Sequence, residues 1–396
     1  MSPSLISNGY CSPARVEELP CAAISELNSR LVVPDNAERD ILSDSCPLPT
    51  IDLSPFLAQR FEAPNSAVQE LCRRVADCLS STGCVVIKDP RVASEDNSHF
   101  VDLMERYFSQ AAGVKHQDAR PELHYQVGVT PEGVEEPRCI VDPACLETIK
   151  DQPPGHRATV PTGPDPKWRF MWRLGARPDV TEFQELNAAP VLPAGFPEWK
   201  SVMECWGSKM LDTLTSAAEM AAIGFGLDRH AITNVMHLGP HLLAPTGADL
   251  SQHSMLGSCY AGFHYDLNLL TIHGKSRFPG LFVWLRDGRR IPVRIPDGCL
   301  FIQAGKQLEY LTAGHVLAGM HEVICTEGTQ AAVKAARAAG RSTWRISSTV
   351  FGHVQSDQIL QPLGHFAKAP TAAKYAPVAA GTFVQHELEA INLKKA

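Results

Sequence analysis

Residues 281–302 read Leu281-Phe282-Val283-Trp284-Leu285-Arg286-Asp287-Gly288-Arg289-Arg290-Ile291-Pro292-Val293-Arg294-Ile295-Pro296-Asp297-Gly298-Cys299-Leu300-Phe301-Ile302. An apolar run of five meets the turn pair Asp287-Gly288, and Ile291, Val293 and Ile295 then alternate with polar residues. This is the grammar of a β-hairpin. Pro296-Asp297-Gly298 marks a second turn, after which Cys299 to Ile302 resumes the sheet. Working outward, strand patterns run from about Val235 to Phe351, interrupted only by the alanine-rich, basic stretch Thr329–Ala339, which predicts a surface helix.

Upstream the pattern changes. Leu48 to Leu53 predicts a short strand, and Val68, Leu71, Cys72, Val75 and Leu79 have helical spacing within Ser66–Ser80. Gly83 to Ile87 predicts a buried strand, Asn97–Ala112 a helix, and Trp199–Gly226 one long helix. Between Asp118 and Pro197, proline, charge and aromatics alternate with turn signals, which predicts long irregular connections. The expected organisation is a mobile arm over residues 1–45, an accessory region over 46–234, a β-rich core over 235–354, and a tail over 355–396 that packs on the core.

The chain has 396 residues, 44% hydrophobic and 20% charged, with a net charge of −7. That composition can bury a large core. It lacks the basic stripe of a nucleic-acid binder, and no run approaches the roughly 18 apolar residues that span a bilayer. The start, Met1 to Cys11, has no basic-then-apolar leader, and the 12 cysteines include no C-x-x-C pair. Reduced thiols and a cytoplasmic setting are therefore expected.

Within the β-rich part, His264-Tyr265-Asp266 places two metal-ligating side chains on one face of a strand, because strand side chains alternate. His321 follows after several strands, and a closed β-roll brings such strands together at its mouth. Two histidines and one carboxylate form the facial triad of non-haem iron(II) oxygenases. A second H-x-D, His116-Gln117-Asp118, follows a predicted helix and reads as structural. In Arg345-Ile346-Ser347-Ser348-Thr349, alternation puts Arg345, Ser347 and Thr349 on one face. A guanidinium beside a hydroxyl suits an incoming carboxylate.

In the same order these residues carry Phe263 to Asp266, Leu269-Leu270-Thr271-Ile272, Pro279 to Val283, Ile295 to Gly298, Gln303-Ala304-Gly305, Glu309 to Gly314, His321-Glu322-Val323, and R-x-S at Arg345 to Ser347. This series resembles the isopenicillin-N-synthase-like branch of the iron(II)/2-oxoglutarate dioxygenases over roughly Leu242 to Phe351. Pro49 to Leu53 and Gly83 to Ile87 resemble that family's accessory part. The resemblance implies an α+β, mainly β fold: a double-stranded β-helix (jelly-roll) core with bracing helices. It also implies Fe(II) on His264, Asp266 and His321, 2-oxoglutarate on Arg345 and Ser347, and O2 as oxidant. The expected activity couples decarboxylation of 2-oxoglutarate to hydroxylation, desaturation or cyclisation of a small molecule.

Two features depart from that pattern. Where many members carry a tyrosine for the distal carboxylate of 2-oxoglutarate, this chain reads His241-Leu242-Leu243-Ala244-Pro245, leaving the second contact unassigned. The stretch between His321 and Arg345 is also longer, filled by the predicted helix. For the substrate, Trp168-Arg169-Phe170-Met171-Trp172-Arg173, Tyr125, Tyr260, Phe263 and Tyr265 are pocket candidates or equally interface seals. Two other readings stay open: an iron oxidase that dispenses with 2-oxoglutarate, and a β-roll binding protein without chemistry. The sequence names neither the primary substrate nor the oligomeric state.

Overall fold

A computed structural model of the chain describes residues 48–60 and 62–393. The arm expected over residues 1–45 lies outside them. The chain opens with β1 (Thr50–Asp52), α1 (Ser66–Thr82), β2 (Cys84–Lys88) and α2 (Ser94–Phe108). Asn65 caps α1 by accepting from the Val68 N–H at 3.0 Å, and Gly83 ends it at φ 76°, the left-handed conformation that glycine adopts without strain. Next come β3 (Gly128–Thr130), α3 (Arg138–Val141), α4 (Pro143–Asp151), β4 (Trp168–Arg173) and the 26-residue α5 (Trp199–Gly224).

The β-rich part supplies β5 (Leu242–Leu243), β6 (Thr246–Asp249), β7 (Cys259–Tyr265), β8 (Leu270–His273), β9 (Leu281–Trp284), β10 (Arg290–Pro292), β11 (Cys299–Ala304) and β12 (Met320–Ile324). After α6 (Glu327–Ala338) come β13 (Trp344–Ser347) and β14 (Thr349–Gly352), and α7 (Ala380–Glu389) lies near the end. Among the described residues a ten-stranded sheet runs β1-β2-β11-β8-β14-β5-β4-β6-β13, with β3 on β4. A four-stranded sheet runs β10-β9-β12-β7. Within this order β11-β8-β14-β5 and β10-β9-β12-β7 are the two faces of a jelly roll, each joining strands distant in sequence.

Alternation sorts the larger sheet. Leu270, Ile272, Leu300, Ile302 and Val350 point outward and join one core with Val75, Leu79, Phe100, Met104, Trp206, Met210 and Leu214 from α1, α2 and α5. Their neighbours Thr271, His273, Phe301, Gln303 and Thr349 point the other way, into the roll. Gly224 lets α5 cross α1 closely, since a Cβ there would lie 2.2 Å from the Cys72 carbonyl oxygen. No helix among the described residues is long and apolar enough to cross a membrane.

Three expectations need correction. Residues 168–173, expected in an irregular connection, form β4, a strand buried almost throughout, because Phe170 and Trp172 join the helix-side core. The stretch Arg345 to Thr349, read as one alternating strand, breaks at Ser348: β13 pairs with β6, while β14 pairs with β8 and β5. The cysteines, expected to be reduced, include a Cys139–Cys145 disulfide. The turn from α3 into Pro143 brings their Cα atoms to 4.9 Å, although no short C-x-x-C spacing announces it. Cys72 and Cys78 fall on the buried face of α1 and Cys84 on β2.

Candidate active site

The candidate ligands come together where β7 and β12 run side by side. His321 sits directly opposite His264 in the antiparallel register, and their ring centroids lie 4.1 Å apart. Asp266 follows at the end of β7, so its Oδ1 lies 3.8 Å from His264 Nε2 and 3.9 Å from His321 Nε2. One donor atom from each of the three falls within 4.8 Å of the others, and Asp266 and His321 are buried. Phe263 and Glu322, next along the two strands, face the other side. Phe263 packs on Trp284 beneath Cys139, and Glu322 pairs with Arg290 at 2.8 Å.

Neighbouring groups orient these donors. Gly262 O lies 2.5 Å from His264 Nδ1, which places the ring proton on Nδ1 and leaves the Nε2 lone pair toward Asp266. The Thr271 hydroxyl donates to Asp266 Oδ2 at 2.6 Å, leaving Oδ1 facing the imidazoles. Burial draws the His264 pKa down to about 3, helped by His321, so the ring is neutral. Burial works to raise Asp266, but His321, His264 and the Thr271 hydrogen bond together hold it below the usual carboxylate range. A neutral His264 imidazole and a second imidazole, His321, converging on an ionised carboxylate suit a divalent metal.

Deeper in the roll lies Arg345, 6% exposed. Its Nη1 donates to Ser347 Oγ at 2.9 Å and its Nε to Pro279 O at 3.4 Å, and among the described residues no carboxylate pairs with it. Burial pulls its pKa down to about 10. A buried guanidinium facing only a hydroxyl and a carbonyl is costly and has donors left for an anion. Thus β13 brings the sequence-nominated Arg345 and Ser347 together in spite of the intervening α6.

The substrate candidates scatter. Arg169 pairs with Glu135 at 2.9 Å within a buried cluster where Lys167 Nζ reaches both Glu135 and Asp165, at 2.8 and 2.7 Å. Burial opposes ionisation of Glu135, but Arg169 and Lys167 hold its pKa down to about 2. Burial pushes Asp165 up despite Lys167. Arg173 instead donates to the Leu174 and Ala176 carbonyls, on the rim of a surface cleft of about 460 Å³. Tyr265 lies under the Arg138 guanidinium, while Tyr260 donates to His253 O. The second H-x-D is structural: His116 bonds Ala112 O and Asp118 accepts from Tyr107.

Sequence reasoning missed Thr271 and His273, which face the roll interior two residues apart. The alternation of Leu270-Thr271-Ile272-His273, polar on one face only, was the available signal.

No family model matches the chain. Over 364 residues it is 21% identical to a 2-oxoglutarate–Fe(II)-type oxidoreductase, ppzD, of Metarhizium rileyi, covering 86% of this chain and 90% of that protein. A solved full-length protein of Neurospora crassa, in complex with alpha-KG, superposes with a TM-score of 0.67 at 16% identity, over 88% of this chain and 97% of that one. A 2OG-Fe(II) oxygenase family protein of Caulobacter crescentus gives 0.65 at 21% identity, over 87% and 99%. These likenesses establish the fold as that of the 2-oxoglutarate–iron oxygenases.

Proposed function

We infer that the chain is an iron(II)- and 2-oxoglutarate-dependent oxygenase of a small molecule, with His264, Asp266 and His321 as metal ligands and Arg345 with Ser347 holding the co-substrate. The observation that carries this is the pairing of two sites in one roll: three convergent donors and, deeper, a buried arginine without an acid. Bound iron supplies oxygen activation coupled to oxidative decarboxylation of 2-oxoglutarate, yielding succinate and carbon dioxide. The chain does the positioning. Gly262 and Thr271 fix which atoms of His264 and Asp266 are free to ligate. Arg345 offers its fork to a carboxylate, and Ser347 adds a hydroxyl. Burial of Asp266, His321 and Arg345 strengthens each of these contacts.

The neutral state of His264 removes competition between proton and metal at neutral pH. We further propose a cytoplasmic location, where ferrous iron and 2-oxoglutarate are at hand, with no nucleic-acid or membrane partner. The domain bounds at 45, 234 and 354 are proposed likewise.

The test is anaerobic addition of Fe(II) and 2-oxoglutarate to the purified protein, following the weak visible charge-transfer band. Wild type should develop the band and His321→Ala should not. A band of full intensity in that variant would remove His321 from the ligand set. Succinate formed on admitting oxygen separates this activity from an oxidase that does not use 2-oxoglutarate.

A further inference from the structure

Inside the roll, one polar ring is held in place and left half-satisfied. His273 lies on β8 two residues beyond Thr271, whose hydroxyl holds Asp266. Two residues of strand advance about 6.6–6.8 Å on the same face. Across the sheet His273 pairs with Thr349 on one side and Phe301 on the other. Thr349 follows Ser347 by two residues on the chain that carries Arg345. His273 is near both groups: its ring centroid is 6.3 Å from that of His321, and it lies close enough to Arg345 to feel its charge.

Two contacts immobilise the ring. Its Nδ1 lies 3.1 Å from Thr349 Oγ1, and its face stacks on Phe301 at 5.8 Å with 28° between planes. Its Nε2 is buried and makes no well-formed hydrogen bond. In the tautomer where the Thr349 hydroxyl donates to Nδ1, the proton sits on Nε2, whose one polar neighbour is the Gln303 side chain. An orphaned buried donor costs stability, and an incoming acceptor would relieve it. The stretch His241 to Pro245, where a tyrosine was expected, offers no substitute: His241 Nδ1 accepts from the His353 N–H, away from Arg345.

We propose that His273 is a co-substrate-binding residue, donating from Nε2 to the distal carboxylate of 2-oxoglutarate alongside Arg345 and Ser347. This rests on the 2-oxoglutarate reading above. The ring thus takes the place of the missing tyrosine from a different strand.

The experiment uses the full chain loaded anaerobically with Fe(II) and titrated with 2-oxoglutarate, then separately with 2-oxobutyrate, which chelates alike but lacks the distal carboxylate. The charge-transfer band reports binding without turnover. His273→Leu should weaken 2-oxoglutarate binding about 10- to 100-fold, the loss of one hydrogen bond to a charged group. It should leave 2-oxobutyrate binding within about a factor of two, since nothing in that acid reaches His273. His273→Gln, which keeps a donor, should recover most of the loss and covers the case of a leucine variant that folds poorly. Equal weakening of both acids, or of neither, overturns the assignment while leaving the 2-oxoglutarate reading intact. A wild-type protein that gives no band with either acid overturns both.

Discussion

Two of the buried charged groups among the described residues are built on opposite plans. Around Lys167, the carboxylates of Glu135 and Asp165 and the guanidinium of Arg169 satisfy one another, two positive groups against two negative. Around Arg345 there are a hydroxyl and a carbonyl and, among the described residues, no acid. A closed set of charges holds loops to strands and needs nothing more. An open one stores unsatisfied bonding that only an incoming anion relieves. Burial alone does not tell a site from a strut; charge balance within the buried set does.

The comparison breaks most visibly by removing the centre of the closed cluster. Lys167→Met leaves Asp165 and Glu135 buried with one cation between them. A loss of about 3–5 kcal/mol is expected, read as a lower urea midpoint at unchanged slope. Arg345→Met should behave oppositely in the absence of ligand: unchanged stability, or a gain of about 1–3 kcal/mol, because an uncompensated charge is gone. The same variant should lose 2-oxoglutarate-dependent turnover about 100-fold or more and lose thermal protection by 2-oxoglutarate. If ligand-free Arg345→Met unfolds as readily as Lys167→Met, the two clusters are the same kind of object.

The smallest effect sharpens the comparison at a third buried charge. Lys115 is 3% exposed, donates to Phe108 O and lies over the Trp168 and Trp344 rings, at 4.0 and 4.7 Å. Burial lowers its pKa to about 8, from an ordinary value of 10.5. Between those two values the unfolded chain binds the proton and the folded one does not, so folding gains stability as pH rises through that window. Lys115→Met should therefore exceed wild type in Tm most clearly below pH 8, and the gap should narrow as pH rises to 10. A gap independent of pH would show that packing, not charge, separates the two proteins.

The sequence made the roll legible because strand alternation and turn residues are local signals. The 281–302 run is two strands and a third beyond their turns, as β9, β10 and β11 show. The proposed ligand trio was legible in part for the same reason, since His264 and Asp266 need only period two. That His321 stands opposite His264 is a matter of register, which no local signal encodes. Residues 168–173 were misread because their pairing with β3, β5 and β6 is long-range, and long-range pairing turned a loop-like composition into a buried strand. Arg169 looked like a substrate grip because its partner Glu135 lies on another segment, invisible until the chain folds. The Cys139–Cys145 bond was hidden likewise: it depends on the bend at Pro143 rather than on a spacing rule.

The helix α6 also bears on how such chains are found. It packs Val333 and Ala336 against Ala248, Tyr260 and Val323, on one flank of the roll, and its ends are fixed by the Thr326 cap and by β13. It therefore lengthens the path along the backbone from His321 to Arg345 without entering the space between β12 and β13. Linear spacing and spatial arrangement are decoupled at that junction. A search that fixes the interval between the second histidine and the arginine would pass over this chain, while one that matches strand order and facing side chains would retain it.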